Sequence, residues 1–302
     1  MDEDALLCDT PLRRPTGPDR FRVAVVGHVE WTTIARVETV PLPGDVIHAD
    51  PLWQGPAGGG AVAAVGLAEL AGGCTFFTAL GDDDAGHSSR TELERRGVRV
   101  LAAPRQGRTR EAVSMVDGSG ERTTVTLGER LEPAGGDALD WRELAGFDAV
   151  FFTAGDTAVL RAARQAAVLV VTSRELATVS RSGVVVDAMV GSAHDPAERY
   201  DHTLLAEPPE LLVSTEGVRG GRFVRRGEPA RRYPAIEAPG PVVDTYGVGD
   251  NFAAALTFAL GSGSRTWEAL EFAARRSASC VARRGPFEAT ALAGAGQRGA
   301  GT

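Results

Sequence analysis

The sequence predicts a single α/β domain with a central, mostly parallel sheet flanked by helices, and a small projecting β-sheet that we term the lid. From residue 147 onward, short apolar runs alternate with helical segments, which is typical of a parallel sheet. Two earlier strands flank Asp117-Gly118-Ser119-Gly120, a strong hairpin signal. The pattern after Asp250 is helical. With 302 residues, of which 43% are hydrophobic, the chain can bury a core for one large domain.

The elements are predicted in order along the chain. The buried run Phe21–Gly27 indicates the first strand, and an extended segment with a turn at Pro41 and Pro43 follows to about residue 50. Further strands are predicted at Thr75–Leu80, Glu111–Val116, Arg122–Leu127, Ala149–Thr153, Val168–Val171, Val184–Asp187 and Leu211–Ser214. Helices are predicted at 61–70, 88–96, 252–260 and 267–283.

These elements divide the chain into one domain and two tails. Residues 1–19 are rich in proline and charge, which predicts a disordered N-terminal tail. Residues 20–288 form the α/β domain, whose lid comes from about 30–50 and 108–128. Residues 289–302 are rich in glycine and alanine and are expected to be flexible.

Composition narrows the partners and the compartment. The net charge of −8 and the pI of about 5.3 argue against nucleic acid as the main partner. The sequence has no run of 18 apolar residues, so no membrane span is predicted. It has no apolar segment near the N-terminus, so no signal peptide is predicted. The three cysteines have neither CxxC nor metal-ligand spacing, which fits a reducing cytoplasm. Cys74 and Cys280 are expected to be small core residues.

The sequence contains no lysine. Apart from histidine, arginine is therefore the only basic residue type in the chain. A Walker A loop needs its lysine, and enzymes that use pyridoxal phosphate or a Schiff base need a lysine nucleophile. These classes are excluded. Any phosphate chemistry must use backbone amides, arginine and a metal ion.

The stretch Asp244-Thr245-Tyr246-Gly247-Val248-Gly249-Asp250 stands directly before an apolar helical run. Gly247 and Gly249 allow a tight turn, and the amides from Gly247 to Asp250 would converge at a helix N-terminus, where unpaired N–H groups attract phosphate. A carboxylate beside such an anion hole is well placed to accept a proton from a hydroxyl that attacks phosphate. The alternative is an ordinary strand-to-helix turn with Asp250 as its cap.

This stretch resembles the DTxGAGD signature of the pfkB/ribokinase family of sugar and nucleoside kinases. Gly58-Gly59-Gly60 before a predicted helix is similar to the family's N-terminal Gly-Gly signature. The resemblance covers nearly all of residues 21–286. It implies a ribokinase-like fold, Asp250 as catalytic base, and Gly247, Val248 and Gly249 as anion hole. Val248 departs from the alanine that is usual in the family.

The resemblance also implies substrate-binding residues. Gly58 and Gly59 would meet the sugar, but Gly60 and Ala63 stand where ribokinases have lysine and asparagine. Thr32 stands where the family has a substrate-binding aspartate. Glu30 lies two residues earlier on the same strand face, so both could hold substrate hydroxyls; otherwise Glu30 is a solvated acid at a strand end.

For the nucleotide, the resemblance implies ATP contacts by Thr215, Gly217 and Gly220 in a Thr-x-Gly turn, and by Asp244 and Thr245. An ordinary turn is the alternative at 215–220. The family's Asn-x-x-Glu motif, which helps to place Mg²⁺, is matched by Ser192-Ala193-His194-Asp195, so Asp195 is the metal candidate. Otherwise Asp195 starts a helix before Pro196. The acidic turn Asp82-Asp83-Asp84 is expected to cap a helix.

The expected activity is therefore ATP-dependent phosphoryl transfer to an alcohol of a sugar, polyol or nucleoside, with ATP, Mg²⁺ and optionally a monovalent cation. A non-catalytic, nucleotide-binding member of the same fold is one alternative. A dinucleotide-binding oxidoreductase is another, but Phe252 fills the third glycine position of its fingerprint. A homodimer through the lid is a further expectation.

Overall fold

The computed structural model describes residues 11–12 and 21–287. The predicted tails, 1–19 and 289–302, lie outside the described residues except for Pro11 and Leu12. The strands are β1 (Val23–Val26), β2 (Glu30–Arg36), β3 (Asp50–Ala57), β4 (Cys74–Gly81), β5 (Val98–Arg105), β6 (Glu111–Val116), β7 (Arg122–Leu127), β8 (Ala149–Phe152), β9 (Val168–Thr172), β10 (Ala188–Ser192), β11 (Leu211–Thr215), β12 (Gly221–Arg225) and β13 (Arg231–Tyr233). The α-helices are α1 (Gly58–Ala71), α2 (Asp84–Arg95), α3 (Thr157–Ala163), α4 (Leu176–Ser182), α5 (Val248–Gly261) and α6 (Thr266–Cys280).

The main sheet has the spatial order β13-β12-β11-β10-β9-β8-β1-β4-β5. The seven strands β11, β10, β9, β8, β1, β4 and β5 pair in parallel, and β12 and β13 are antiparallel to their neighbours. Central β1 is hydrogen-bonded on both sides, with Val25 opposite Phe76 of β4 and Phe151 of β8. The carboxyl ends of the parallel strands therefore meet at one edge, where ligands bind in open α/β sheets.

The core lies on both faces of this sheet, which explains why its central strands are continuous apolar runs. In β1, Val23 and Val25 join the apolar cluster on one face, while Ala24 and Val26 join the cluster on the other. Helices α1 and α5 cover the first face and pack closely, because a Cβ on Gly66 would lie 3.3 Å from the Ala254 Cβ. Cys74 and Cys280 are buried and free, as expected.

The lid is a separate four-stranded sheet in the order β3-β2-β6-β7. Strands β6 and β7 have the predicted bounds and pair antiparallel around the predicted hairpin. The third strand, β3, extends past the predicted lid boundary at residue 50 and leads directly into α1. Its prolines and Gly55 interrupt the alternation that normally marks a strand, so the sequence pattern did not show it.

One predicted strand is wrong. Residues 184–187 are not a strand, and β10 begins at Ala188. Val185 is 36% exposed, whereas Ala188 and Met189 are fully buried. The Asp187 carboxylate accepts a hydrogen bond of 2.7 Å from the Leu169 amide. Asp187 is therefore the last residue of the loop before β10 and not the last residue of a strand. In the part of the chain that the structure describes, no helix is long and apolar enough to cross a membrane.

Candidate active site

The predicted site residues assemble where the lid joins the carboxyl edge of the main sheet. Strand β1 ends at Val26, and β2 of the lid begins four residues later at Glu30. The N-terminus of α1 follows β3 of the lid, and the N-terminus of α5 packs beside it. Two helix N-termini, one strand edge and the base of the lid therefore surround a common space.

The turn before α5 has the geometry of an anion site. Gly247 is the N-cap residue of α5 with φ +74°, and no side chain caps the first turn. A Cβ at Gly247 would lie 2.7 Å from the Pro286 Cβ, so both the conformation and the packing require glycine. The first amides of a 14-residue helix are thus left without a side-chain acceptor, and the helix dipole favours an anion there.

Asp250 lies in this first turn and faces the N-terminus of α1. Its Oδ1 is 3.1 Å from the point where a Cβ of Gly59 would stand. Burial raises the pKa of Asp250 to about 6; Arg122 opposes this shift, Glu198 adds to it and Arg174 opposes it. An acid with a pKa near neutrality can both accept and release a proton, which suits a general base.

The lid contributes Glu30 to the same space. Glu30 is buried, with Oε1 3.4 Å from Nη1 of Arg110 and 3.8 Å from Nε2 of His28. Burial raises the pKa of Glu30 above its usual range, Arg110 opposes this, and the charge of Asp250 adds to it. Glu30 and Asp250 thus influence each other electrostatically. The solvated strand-end alternative for Glu30 is wrong, since its side chain is 9% exposed.

The other predicted substrate-binding residues differ in how directly they face the proposed site. Gly58 and Gly59 open α1, and a Cβ on Gly58 would lie 3.1 Å from Nε2 of His28. Thr32 is fully buried, and its Oγ1 is 3.5 Å from the hydroxyl of Tyr246, which accepts a hydrogen bond from the Gly58 amide. Thr32 therefore supports the base of the site through Tyr246, and a direct contact with substrate stays a prediction.

Asp244 and Thr245 hold the anion-site turn in place. Asp244 is 1% exposed, and its carboxylate accepts hydrogen bonds from the amides of Tyr246 at 2.8 Å and Gly285 at 3.0 Å. The Thr245 hydroxyl donates to the carbonyl of Gly120 in the lid hairpin at 3.1 Å. Asp244 therefore orders the turn from behind and Thr245 ties it to the lid, and their predicted contacts with ATP stay predictions.

The predicted Thr-x-Gly turn follows β11 at the same edge of the sheet. Thr215 ends β11 opposite Ser192, and its hydroxyl donates to the Gly191 carbonyl at 3.4 Å. Gly217 and Gly220 have positive φ values, and the Gly220 carbonyl accepts from the Glu216 amide at 2.7 Å. Glu216 is 2.8 Å from Arg232 and 2.9 Å from Arg222, so the turn is rich in arginine.

Asp195 takes the helix-start role that the sequence left open. Its Oδ1 accepts from the Ala197 amide at 2.8 Å in the 3-10 turn Pro196–Glu198, and its Oδ2 pairs with Arg174. Among the described residues, no group of three or more His, Cys, Asp or Glu side chains could hold a metal ion. A metal role for Asp195 stays a prediction. The expected capping role of the acidic turn is confirmed, since Asp83 accepts from the Gly86 amide at 2.9 Å.

Sequence reasoning missed the charged residues that act on Asp250, among them Arg122 and Glu198. Arg122, the first residue of β7, lies with its guanidinium 5.1 Å from the Tyr246 ring centre and lowers the pKa of Asp250. Glu198 raises that pKa, and its carboxylate accepts from the Ser192 amide at 2.7 Å. Arg122 lies in no recognisable motif, so only the three-dimensional fold identifies it. Glu198 follows Asp195 with the spacing of an Asn-x-x-Glu motif, which is a signal that the sequence did contain.

Comparisons with known proteins identify the family to which the chain is similar. The family model for pfkB family carbohydrate kinase matches residues 20–154 and 138–290. An ATP-dependent ribose-1-phosphate kinase from Halopiger xanaduensis is 27% identical over 87% of this chain and 93% of that protein. An acarbose 7(IV)-phosphotransferase from Actinoplanes is 29% identical over 78% of this chain and 84% of that protein.

The fold comparison is equally extensive. The ribokinase of Thermotoga maritima superposes with a TM-score of 0.69 at 20% identity, covering 88% of this chain and 94% of that one. The nine-stranded sheet and the lid are thus a ribokinase-like fold, as predicted. Because the family match spans nearly all of the described residues, the protein belongs to the pfkB family of carbohydrate kinases.

Proposed function

We propose that this kinase transfers the γ-phosphate of ATP to an alcohol hydroxyl of a sugar-like small molecule, with Asp250 as general base. One observation carries the proposal: the Asp250 carboxylate lies between the uncapped N-terminus of α5 and the glycine-opened N-terminus of α1, beneath the lid. The amides from Gly247 to Asp250 form the anion hole. In this proposal, the reacting hydroxyl lies between the proton acceptor and the anion site.

The proposed chemistry is a single displacement. Asp250 accepts the proton of the acceptor hydroxyl as its oxygen attacks the γ-phosphorus, the bond to the β-phosphate bridging oxygen breaks, and ADP leaves. The amides at the start of α5 stabilise the negative charge on the transferring group, and they need no reorganisation because the turn is already fixed by Asp244. Asp250 then releases its proton to solvent.

ATP and Mg²⁺ are the expected cofactors. The Thr215–Gly220 turn lies at the carboxyl edge of the sheet and fits a role beside the nucleotide. Mg²⁺ keeps several waters and binds one or two carboxylates plus phosphates, so the carboxylates of Asp195 and Glu198, which both pair with Arg174, would hold it together with the nucleotide phosphates. When bound, Mg²⁺ neutralises charge on the phosphates. A monovalent cation remains optional.

The acceptor is proposed to be a sugar, polyol or nucleoside. The matched relatives are described as acting on ribose 1-phosphate and on acarbose, so both phosphorylated and unphosphorylated carbohydrates belong in the search. The net charge of −8 disfavours nucleic acid. The exposed outer lid residues Val113, Val125 and Leu127 are where a second copy would dock if the protein dimerises.

The test is ADP release by the purified protein with Mg²⁺-ATP across sugars, sugar phosphates, polyols and nucleosides. Acceptor-dependent release supports the proposal and identifies the acceptor class. ATP binding without release for any acceptor would favour a non-catalytic, nucleotide-binding protein. Thermal protection by NAD and none by ATP would contradict the nucleotide site itself.

We expect kcat/KM for the acceptor to depend on the protonation of Asp250. Because burial raises the pKa of Asp250 to about 6, the base form is lost as the pH falls through that value. Below pH 6 the rate should fall by about tenfold per pH unit, and above pH 7 this dependence should level off. Rates measured at constant ionic strength from about pH 5 to 8 test this. A level profile down to pH 5 would exclude Asp250 as the titrating base.

Arg122 is expected to assist the same step. Arg122→Gln should lower kcat by about 10-fold or more, since a cation beside the transferring phosphoryl group stabilises its charge. The variant should also move the acid limb of the pH profile to higher pH, because Arg122 lowers the pKa of Asp250. Arg108→Gln is the control, since Arg108 lies in the segment leading into the lid, is 83% exposed and pairs with Glu111. An unshifted limb in Arg122→Gln would contradict this role.

A further inference from the structure

A short segment, Gly285–Phe287, lies between the lid and the turn that begins α5, and we term it the strap. All three of its residues are buried. The Gly285 amide donates to the Asp244 carboxylate at 3.0 Å, and the Pro286 carbonyl accepts from the Asn251 side chain at 3.3 Å. Because Asp244 and Asn251 stand on either side of the turn in the sequence, the strap supports both ends of the proposed anion hole.

The strap and the turn are tightly joined. The Asn251 side chain, which is 3% exposed, donates to the Gly247 carbonyl at 3.0 Å as well as to the strap. The Asp244 carboxylate likewise accepts from the Tyr246 amide at 2.8 Å as well as from the strap. A Cβ on Gly247 would lie 2.7 Å from the Pro286 Cβ. A displacement of the strap would therefore move the amides that we assign to phosphate.

The strap also packs against Trp53, in β3 of the lid. Trp53 is 5% exposed, and a Cβ on Gly285 would lie 2.6 Å from Cγ of its indole. The Phe287 ring and the indole pack in a T-shaped arrangement, with ring centres 5.4 Å apart. Gly285 has φ +75°, so both the backbone and the indole require glycine there. The indole therefore fixes the position of the strap relative to the lid.

Trp53 and Glu30 lie on the same face of the lid sheet. Ile34 stands opposite Trp53 in the β2–β3 pair, and it lies four residues from Glu30 on β2, so the three side chains share a face. Four residues of strand separate Ile34 from Glu30 by about 13 Å. Trp53 is therefore at the far end of this face from the proposed acceptor space, and its effect on the site has to pass through the strap.

We infer that Trp53 is a positioning residue for the proposed anion hole, which it holds in shape through the strap and couples to the lid. The inference rests on the proposed function, because it concerns the same anion hole. Trp53 touches no reacting atom; its effect passes through Gly285 to Asp244 and through Pro286 to Gly247. In a purely structural role, Trp53 would change stability alone.

The first test compares two tryptophan variants. Trp53→Leu should lower kcat/KM for ATP by about 10- to 100-fold, because a small misplacement of groups that stabilise the transition state costs that much. The matched control is Trp141→Leu, which removes a half-buried tryptophan that stacks on Phe77 of β4. Both variants should melt at a lower temperature, since each leaves a cavity, but Trp141→Leu should keep its activity. Trp53→Phe fills most of the space and should recover most of kcat/KM.

The second test moves the strap without changing Trp53. Gly285→Ala adds a Cβ that would meet the indole at a φ of +75°, so the strap must shift, and kcat/KM for ATP should fall by about 10-fold or more. Gly183→Ala is the matched control, since Gly183 has φ +68° and open space around its Cβ. Both variants should lose stability through backbone strain. If Trp53→Leu does not fold, this pair decides: full activity of Gly285→Ala would overturn the inference.

A double variant identifies the route by which Trp53 acts. Gly249→Ala, in the first turn of α5, alters the proposed anion hole directly. In that background Trp53→Leu should cost less than about threefold in kcat/KM for ATP, because the same amides are already impaired. Trp141→Leu should have the same small effect in both backgrounds. Penalties of Trp53→Leu and Gly249→Ala that multiply in full would show that Trp53 does not act through the anion hole.

Binding separates this inference from the proposed function. Calorimetry with ATP and with ADP measures the contribution of the γ-phosphate without turnover. If the wild type phosphorylates no acceptor, but Trp53→Leu loses about fivefold in affinity for ATP and keeps its affinity for ADP, the kinase proposal fails and the inference stands. Unchanged affinities in that case would overturn both. If the wild type is active and Gly249→Ala impairs the use of ATP while Trp53→Leu does not, the proposed function stands and the inference is overturned.

Discussion

Replacing Asp250 with asparagine is expected to lower kcat by about 10²- to 10⁴-fold while leaving ATP binding intact, since a positioned general base contributes that much. Asparagine keeps the shape and the helix-start position of Asp250 but cannot accept the proton. The measurement is acceptor-dependent ADP release at saturating ATP, alongside the Kd for ATP. The matched control is Asp84→Asn, which changes an exposed acid in the first turn of α2 and should keep full activity.

The same substitution should stabilise the protein at neutral pH. The pKa of Asp250 is about 6 in the folded chain against 3.8 as its ordinary value, so the folded state binds more protons between these values. Stability therefore falls as the pH rises from about 4 to 6, and the buried charge is a net cost above pH 6. Asparagine removes this cost of about 1–3 kcal/mol, and the melting temperature should rise by several degrees.

Loss of activity together with a gain in stability distinguishes a functional acid from a structural one. Asp250 is not a helix cap, since Gly247 is the N-cap residue and no side chain caps the first turn. If Asp250→Asn lost stability and kept activity, Asp250 would support the fold and not the reaction. The difference in melting temperature between variant and wild type should shrink at pH 4, where Asp250 is protonated in the folded protein.

The sequence pattern was sufficient for the elements whose local signal agrees with their environment. Strands β1 and β8 are buried on both faces, and each is a continuous apolar run. The turn from Gly247 to Asp250 could also be predicted, because its glycine spacing and the apolar helix that follows lie within one short stretch. Asp250 and the proposed anion site could thus be predicted from residues 244–260 alone.

The remainder of the site depends on contacts between distant parts of the chain. Trp53 lies in β3, which the sequence pattern did not show, and only the packing of the lid brings it beside Gly285. Arg122 is one arginine among many in a chain without lysine, and the lid hairpin alone decides that it reaches Tyr246. Asp244 lay inside the family motif, yet its burial shows a supporting role that motif spacing cannot distinguish from ligand contact.

Gly249 offers a test of the anion hole that does not disturb the fold. A Cβ on Gly249 would meet no atom within 4 Å, and its φ is not positive, so alanine fits without strain. Alanine also favours the helix by up to about 1 kcal/mol over glycine, so the melting temperature should stay level or rise slightly. Gly247 cannot serve for this test, because a Cβ there would lie 2.7 Å from the Pro286 Cβ.

Gly249→Ala should nevertheless have a large effect on catalysis, because the space that is open for a Cβ in the protein is the space that we assign to phosphate. The open space above Gly249 is where the proposed transferring phosphoryl group meets the helix amides, so a methyl group there holds the phosphate away from its donors. We expect kcat/KM for ATP to fall by about 10- to 100-fold, as when one oxyanion-type hydrogen bond is weakened. Gly136→Ala, at another exposed glycine with open space and no positive φ, should change neither stability nor rate by much.

The two outcomes for Gly249→Ala lead to different conclusions. A more stable protein with impaired use of ATP would mean that this position lacks a side chain for the sake of phosphate and not of folding. A variant as active as the wild type would mean that the phosphoryl group does not approach the start of α5, and the anion hole would have to be sought elsewhere. The arginine-rich turn around Glu216, at the same edge of the sheet, would then be the next candidate.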